Sequence, residues 1–139
     1  MRLKQIQIYN FGQFSQETFD LPEGNLAAFF GGNEAGKSTT VAFIKQILFG
    51  FNLKNTSSVF FEDYEPLTKS YPMGGQLVFT SDAGEYVLER TWSKGDKSKT
   101  GAVKVLLNGQ EVPASLFYDQ IQNIDGSFYA ESFIFNEDL

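Results

Sequence analysis

Three features of the sequence predict an α/β fold, in which a mixed sheet wraps the helix after the glycine-rich run and residues 75–112 form an antiparallel β layer. A glycine-rich run, Gly31-Gly32-Asn33-Glu34-Ala35-Gly36-Lys37-Ser38, sits between a short apolar segment and a stretch with helical spacing. Residues Leu3 to Tyr9 alternate polar and apolar, the period of a half-buried strand. From Gly75 to Val112 the two-residue alternation returns, punctuated by turn residues. The 139 residues suit one domain, and a hydrophobic content of 42% is enough to bury a core.

The elements follow in chain order. Leu3 to Tyr9 is the first predicted strand and Gln16 to Leu21 the second. Pro22-Glu23-Gly24-Asn25 is a turn by composition. Leu26 to Phe30 is a short apolar run that stops at a glycine pair, as a buried strand does. Ser38 to Phe49 is predicted as a helix, with Val41, Ile44 and Leu48 at helical spacing and Gly50 placed to end it. Phe51 to Pro72 has no clear period and reads as a long loop, of a length that points to function. Gly75 to Thr80, Glu85 to Trp92 and Val103 to Leu107 are predicted strands, the first two joined by Asp82-Ala83-Gly84. Asn108-Gly109 is a type I′ hairpin signal leading to Glu111-Val112. Ser93 to Gly101 is a polar loop. Pro113 to Ile124 reads as a helix with Leu116, Phe117, Ile121 and Ile124 on one side, broken by Asp125-Gly126.

Composition removes several kinds of chemistry. The chain has no Cys and no His, which excludes disulfides, thiolate metal sites and a Ser-His-Asp triad within it. The Met-Arg-Leu-Lys start alternates as a strand does and is not a signal peptide. No apolar run approaches the ~20 residues of a membrane-spanning helix, so the expected setting is the cytoplasm, with no membrane partner. A net charge of −6 argues against a generally basic nucleic-acid binder.

The glycine-rich run matches G-x-x-x-x-G-K-[ST] in full, and its context is the expected strand, loop and helix. Gly31 and Gly36 allow a tight turn where a Cβ would clash. Successive N–H groups then converge on an anion, and the helix adds the positive end of its dipole. Lys37 places an ammonium on the β and γ phosphates of a nucleotide, and the Ser38 hydroxyl suits Mg²⁺. The expected ligands are therefore ATP and Mg²⁺.

The run from Gly31 to Thr39 resembles the P-loop of coiled-coil ABC ATPases, the SMC and SbcC-like proteins. Its Asn33-Glu34-Ala35 variant is most similar to the bacterial SbcC-like "AAA domain" branch of YhaN type. The strand and the Asn10-Phe11-Gly12-Gln13-Phe14 corner resemble that branch, as do Phe43-Ile44, Ile47 to Phe51, Tyr64 to Leu67 and Gly74 to Leu77. The resemblance implies that residues 1–139 are the N-terminal lobe of a split ATPase head. In such a head Asn33 lies beside the γ-phosphate and Thr39 assists at the α-phosphate. Residues 133–139 resemble the approach to the family's Q-loop, where Asn136 stands nearest the usual Gln; it is either a Mg²⁺ ligand or an ordinary loop residue. Tyr64, Glu65 and Pro66 are either a coupling element or a structural turn.

Two look-alikes fall away. Met73-Gly74-Gly75-Gln76 is similar to the ABC signature, but the signature opens a helix and Gln76 leads into a strand pattern, so it is read as a turn. Leu116-Phe117-Tyr118-Asp119 has the form of a Walker B strand but lies in a helical pattern and lacks the following Glu. The resemblance places the signature, Walker B and catalytic Glu in a C-terminal lobe beyond a coiled coil. It implies a homodimer of heads acting on DNA, in some relatives with a nuclease partner. The whole protein is then an ATPase, while this chain alone lacks the groups for turnover. Lys94, Lys97, Lys99 and Lys104 lie on or beside the 93–101 loop, either as a phosphate-contacting patch or as a solvated hairpin. Two other readings remain open. One is a non-catalytic tether or scaffold that uses ATP to dimerise. The other is a self-contained P-loop kinase, for which Arg2 and Arg90 are a thin supply of arginine.

Overall fold

Alternating apolar side chains need one shared face to cover, and here a single antiparallel sheet provides it. The computed structural model describes residues 2–21, 34–50, 72–96, 98 and 100–125; for Glu34, Ala35, Lys37 and residues 121–125 it describes the backbone only. Strands β1 (Arg2–Phe11), β2 (Phe14–Asp20), β3 (Met73–Ser81), β4 (Gly84–Trp92), β5 (Ala102–Leu107) and β6 (Gln110–Val112) form a six-stranded sheet in the order β2-β1-β3-β4-β5-β6. Helices α1 (Glu34–Phe49) and α2 (Ala114–Asp125) complete the described elements. The α/β class is as expected. The mixed sheet is not seen among the described residues, where every strand pairing is antiparallel. The expected strand at 26–30, the loop at 51–72 up to residue 71, and the end at 126–139 lie outside the described residues.

Register sorts the side chains onto two faces. Ile6 pairs with Leu77, Leu77 with Leu88 and Leu88 with Val105, and all of these are buried. One residue along, Gln7 pairs with Gln76, Gln76 with Glu89 and Glu89 with Lys104, which puts a polar row on the other face. The two-residue period of the strand produces this division. Register shifts at Lys4 and Tyr9 mark irregularities where β1 carries an extra residue against β3.

Turn chemistry agrees with the sequence. Asn108 and Gly109 have φ of 50° and 84°, the two positive values that a type I′ turn requires. The Asn108 amide accepts from the Glu85 N–H at 3.0 Å and so ties the β5–β6 turn to the start of β4. In the Asn10–Phe14 corner, Gly12 has φ of 56°. There the buried Asn10 donates to Pro72 O at 2.9 Å and accepts from the Ser15 hydroxyl at 2.9 Å.

Helix α1 packs across β3 and β4. Phe43 is fully buried and meets Phe11 edge-on, with ring centroids 5.3 Å apart. The approach depends on Gly75, where a Cβ would stand 2.1 Å from Gln7 O and 2.8 Å from the Phe43 ring. Met73 to Gln76 therefore belongs to β3 and is not the turn expected from sequence; its glycines serve close backbone packing. Gly75→Ala is expected to cost at least ~1–3 kcal/mol of stability, because a rigid carbonyl on β1 cannot yield as a side chain can. Urea unfolding checks this, and an unchanged midpoint would refute the packing role.

Helix α2 lies on the same face. Phe117 is fully buried, with ring centroids 5.2 Å from Phe79 and 5.5 Å from Tyr86. Leu116, expected on the apolar side with Phe117, is instead 43% exposed. Adjacent helix positions are about 100° apart, and the sheet covers only the side that Phe117 faces.

Candidate functional site

The phosphate-binding motif meets the structure at the start of α1. The helix begins at Glu34, four residues before the expected Ser38, so Glu34, Ala35, Gly36 and Lys37 are helical. Local chemistry favours the longer helix: Ala is the best helix former, and a Glu in the first turn faces the positive end of the dipole. The first N–H groups of any helix lack acceptors within the helix itself, which makes its N-terminus a place for an anion. Gly36 is buried, Thr39 is half-buried, and Ser38 is exposed one turn into the helix. The Thr40 hydroxyl, fully buried, donates back to Gly36 O at 2.8 Å and braces that turn. Gly31, Gly32 and Asn33 lie outside the described residues, as do Tyr64, Glu65, Pro66 and Asn136.

This end of α1 suits a polyphosphate and its metal. The positive end of the helix dipole lies at the first turn, and Ser38 is exposed. Among the described residues, no group of His, Cys, Asp and Glu is arranged to hold a metal by itself. Mg²⁺ at Ser38 would take phosphate oxygens and water among its further ligands, the usual habit of that ion.

Beyond Ser38, α1 is buried on nearly every side. Ala42, Phe43, Ile44, Gln46, Ile47 and Leu48 are all buried. Gly50 closes the helix with φ of 72° and its N–H on Gln46 O at 2.7 Å, as expected of a glycine cap. The last turn carries no basic residue of its own.

Sequence reasoning missed what compensates for this. Arg90, on β4, is 5% exposed and reaches the end of α1. Its Nε donates to Ile47 O at 2.7 Å, and its Nη2 donates to Leu48 O at 3.2 Å and to the Tyr118 hydroxyl at 3.0 Å. Its Nη1 donates to Thr100 O at 2.7 Å. The Tyr118 hydroxyl in turn donates to Leu48 O. Burial raises the pKa of Tyr118, and the Arg90 charge pulls the other way. In the sequence Arg90 is one polar letter in an alternating strand, and no local signal distinguishes it.

The lysine loop is only partly as expected. Lys94 is exposed in a turn. Lys97 and Lys99 lie outside the described residues. Lys104 is on β5, beside the loop in sequence, and is paired with Glu89 on the polar face of the sheet. Below the loop, the Trp92 indole donates to Ser98 O at 2.8 Å, and Asp96 accepts from the Ser98 N–H at 2.9 Å. That hydrogen bond holds the Asp96 carboxyl below the usual carboxylate range. On the polar face the Tyr9 hydroxyl donates to Glu89 at 2.5 Å and lies 3.3 Å from Gln76 Oε1. Burial first, and the Glu89 carboxylate second, push the Tyr9 pKa well up.

The family profile described as "AAA domain" matches residues 1–138. Among curated proteins, the uncharacterized protein YhaN of Bacillus subtilis (strain 168) is 30% identical over 136 residues, covering 98% of this chain. The chain spans only 13% of that relative's length. Among solved structures, the SMC head domain from Thermotoga maritima aligns with a TM-score of 0.46 at 20% identity. That alignment covers 87% of this chain and 42% of the other. The resemblance to the YhaN type, read first from the P-loop and its flanks, agrees with the profile and the relative.

Proposed function

The chain belongs to the AAA-domain family, and on that premise we propose that it binds ATP with Mg²⁺ through Gly31 to Thr39, as the N-terminal lobe of an SMC- or SbcC-like ATPase head. One observation carries the reading. The complete G-x-x-x-x-G-K-[ST] run leads into the N-terminus of α1, with Ser38 exposed one turn in. Gly31, Gly32, Asn33, Glu34, Ala35 and Gly36 cradle phosphate with the backbone, Lys37 neutralises it, and Ser38 holds Mg²⁺. Thr39 assists at the α-phosphate, and Asn136 is a candidate second contact to the metal. Bound Mg²⁺ supplies charge neutralisation at the β and γ phosphates. The remaining machinery belongs to a C-terminal lobe of the same protein, and two heads close on ATP in a way that couples to DNA. Titrating a fluorescent ATP analogue with and without Mg²⁺ tests the binding step. Absence of saturable, Mg²⁺-dependent binding would overturn the proposal.

The loop from 93 to 101 is the proposed DNA contact. If Lys94, Lys97 and Lys99 meet phosphates, neutralising all three should flatten the salt dependence of binding to duplex DNA. The log–log slope is expected to fall by up to ~0.9 per lost contact. The measurement belongs on the full-length protein with ATP, and an unchanged slope would leave the loop as a solvated hairpin.

A further inference from the structure

Arg90 is the only buried charge among the described residues, and it faces backbone carbonyls where a carboxylate would be the usual partner. Its four acceptors come from separate parts of the chain: the last turn of α1, the β4–β5 loop at Thr100, and α2 at Tyr118. A stabilising role explains the α1 contacts, since the last carbonyls of a helix need donors and favour a cation. It does not explain why the same planar fork also holds the far strap of the lysine loop.

We infer that Arg90 is a positioning residue that links the nucleotide end of the fold to the 93–101 loop, so that a displacement of α1 on ATP binding is passed to that loop. The inference rests on the ATP reading above. Helix α1 runs unbroken for 16 residues, a rod of roughly 24 Å at 1.5 Å per residue. One end lies in the phosphate-binding run and the other ends on Arg90. Guanidinium donors are fixed in one plane, so Ile47 O and Leu48 O cannot shift against Thr100 O without breaking or carrying a bond. A second tie lies two residues along the same strand. Trp92 is fully buried and its indole holds Ser98 O. Gly101, with φ of 61°, crosses the indole so closely that a Cβ would stand 2.8 Å from Trp92 Cε2. The loop is thus clamped to β4 at Ser98 and at Thr100, and only the Thr100 clamp also touches α1.

The chain contains a single Trp, so its emission reports the loop without any label. The test follows two signals on the 139-residue chain as ATP with Mg²⁺ is added: displacement of a fluorescent ATP analogue, and Trp92 emission. In the wild type, emission should change and saturate together with binding. Arg90→Lys keeps the charge but cannot span the carbonyls, and Tyr118→Phe removes only one hydroxyl from the network. Both should bind ATP within about threefold of wild type, while the Trp92 response at saturation falls by about half or more. A merely structural Arg90 would lower thermal stability in both variants and leave the response per bound nucleotide intact, which overturns the inference. A flat wild-type emission at saturating ATP also overturns it. Should Arg90→Lys fail to fold, Tyr118→Phe carries the test. Failure of ATP to displace the analogue from wild type would appear in the binding signal alone, and would remove the ATP reading itself.

Discussion

Lys37→Ala should weaken ATP binding by ~1.5–3 kcal/mol, the scale of a hydrogen bond to a charged group, or roughly ten- to 150-fold in Kd. The loss follows from the chemistry of the run. Backbone amides and a helix dipole attract phosphate with partial charges, whereas Lys37 is the only full positive charge between Gly31 and Thr39. The substitution should leave folding intact. The helix continues through position 37, Ala favours it, and the packing of α1 is carried by Phe43, Ile44, Ile47 and Leu48 from later turns. Titration of a fluorescent ATP analogue into both proteins, with matched thermal melts, separates the two effects. Equal affinities would refute the role of Lys37, and a lost melt would show that it also serves the fold.

The second large effect is on turnover. The 139-residue chain should bind nucleotide and release no phosphate above background, and adding the C-terminal lobe should restore catalysis. Hydrolysis needs an oriented, deprotonated water and stabilisation of charge on the γ-phosphoryl group. The chain offers the cradle, Lys37, Ser38 and Asn136, but no His. Its one Walker B look-alike, Leu116 to Asp119, lies in α2, where Phe117 is packed into the core and Tyr118 is bonded to α1. That segment is a helix and not a strand end presenting a carboxylate to Mg²⁺. Steady-state phosphate release should be measured for the chain, for Lys37→Ala and for the chain mixed with its C-terminal lobe. Lys37-dependent turnover by the chain alone would place a catalytic carboxylate within these residues and overturn the split-head reading.

These expectations draw unequally on sequence and structure. The proposed phosphate-binding run could be picked out from sequence because its residues are contiguous: glycines, lysine and serine stand together in one short stretch of chain, and no distant partner is needed to recognise the motif. The hairpin at Asn108-Gly109 was legible for a similar reason, since two positive φ values are a local demand that few residues meet. Alternation located the strands to within two residues or so, and Gly50 marked the end of α1.

Other features were decided only by tertiary packing. Met73 to Gln76 reads locally as a turn, yet it is strand, because Gly75 must admit both the β1 backbone and the Phe43 ring. Leu116 and Phe117 are equivalent letters in an apolar pattern, and only the position of the sheet buries one and exposes the other. The start of α1 moved to Glu34 because helix propensity continues through residues that the motif alone assigns to a loop. Arg90 is the clearest case. Its acceptors lie between 10 and 43 residues away along the chain, so nothing beside it in the sequence indicates its role. The sequence by itself pointed to a candidate phosphate site, because such a site is built from neighbours. The tertiary structure alone decided what holds the far end of α1, because a buried guanidinium takes its partners from whichever carbonyls the fold leaves without donors.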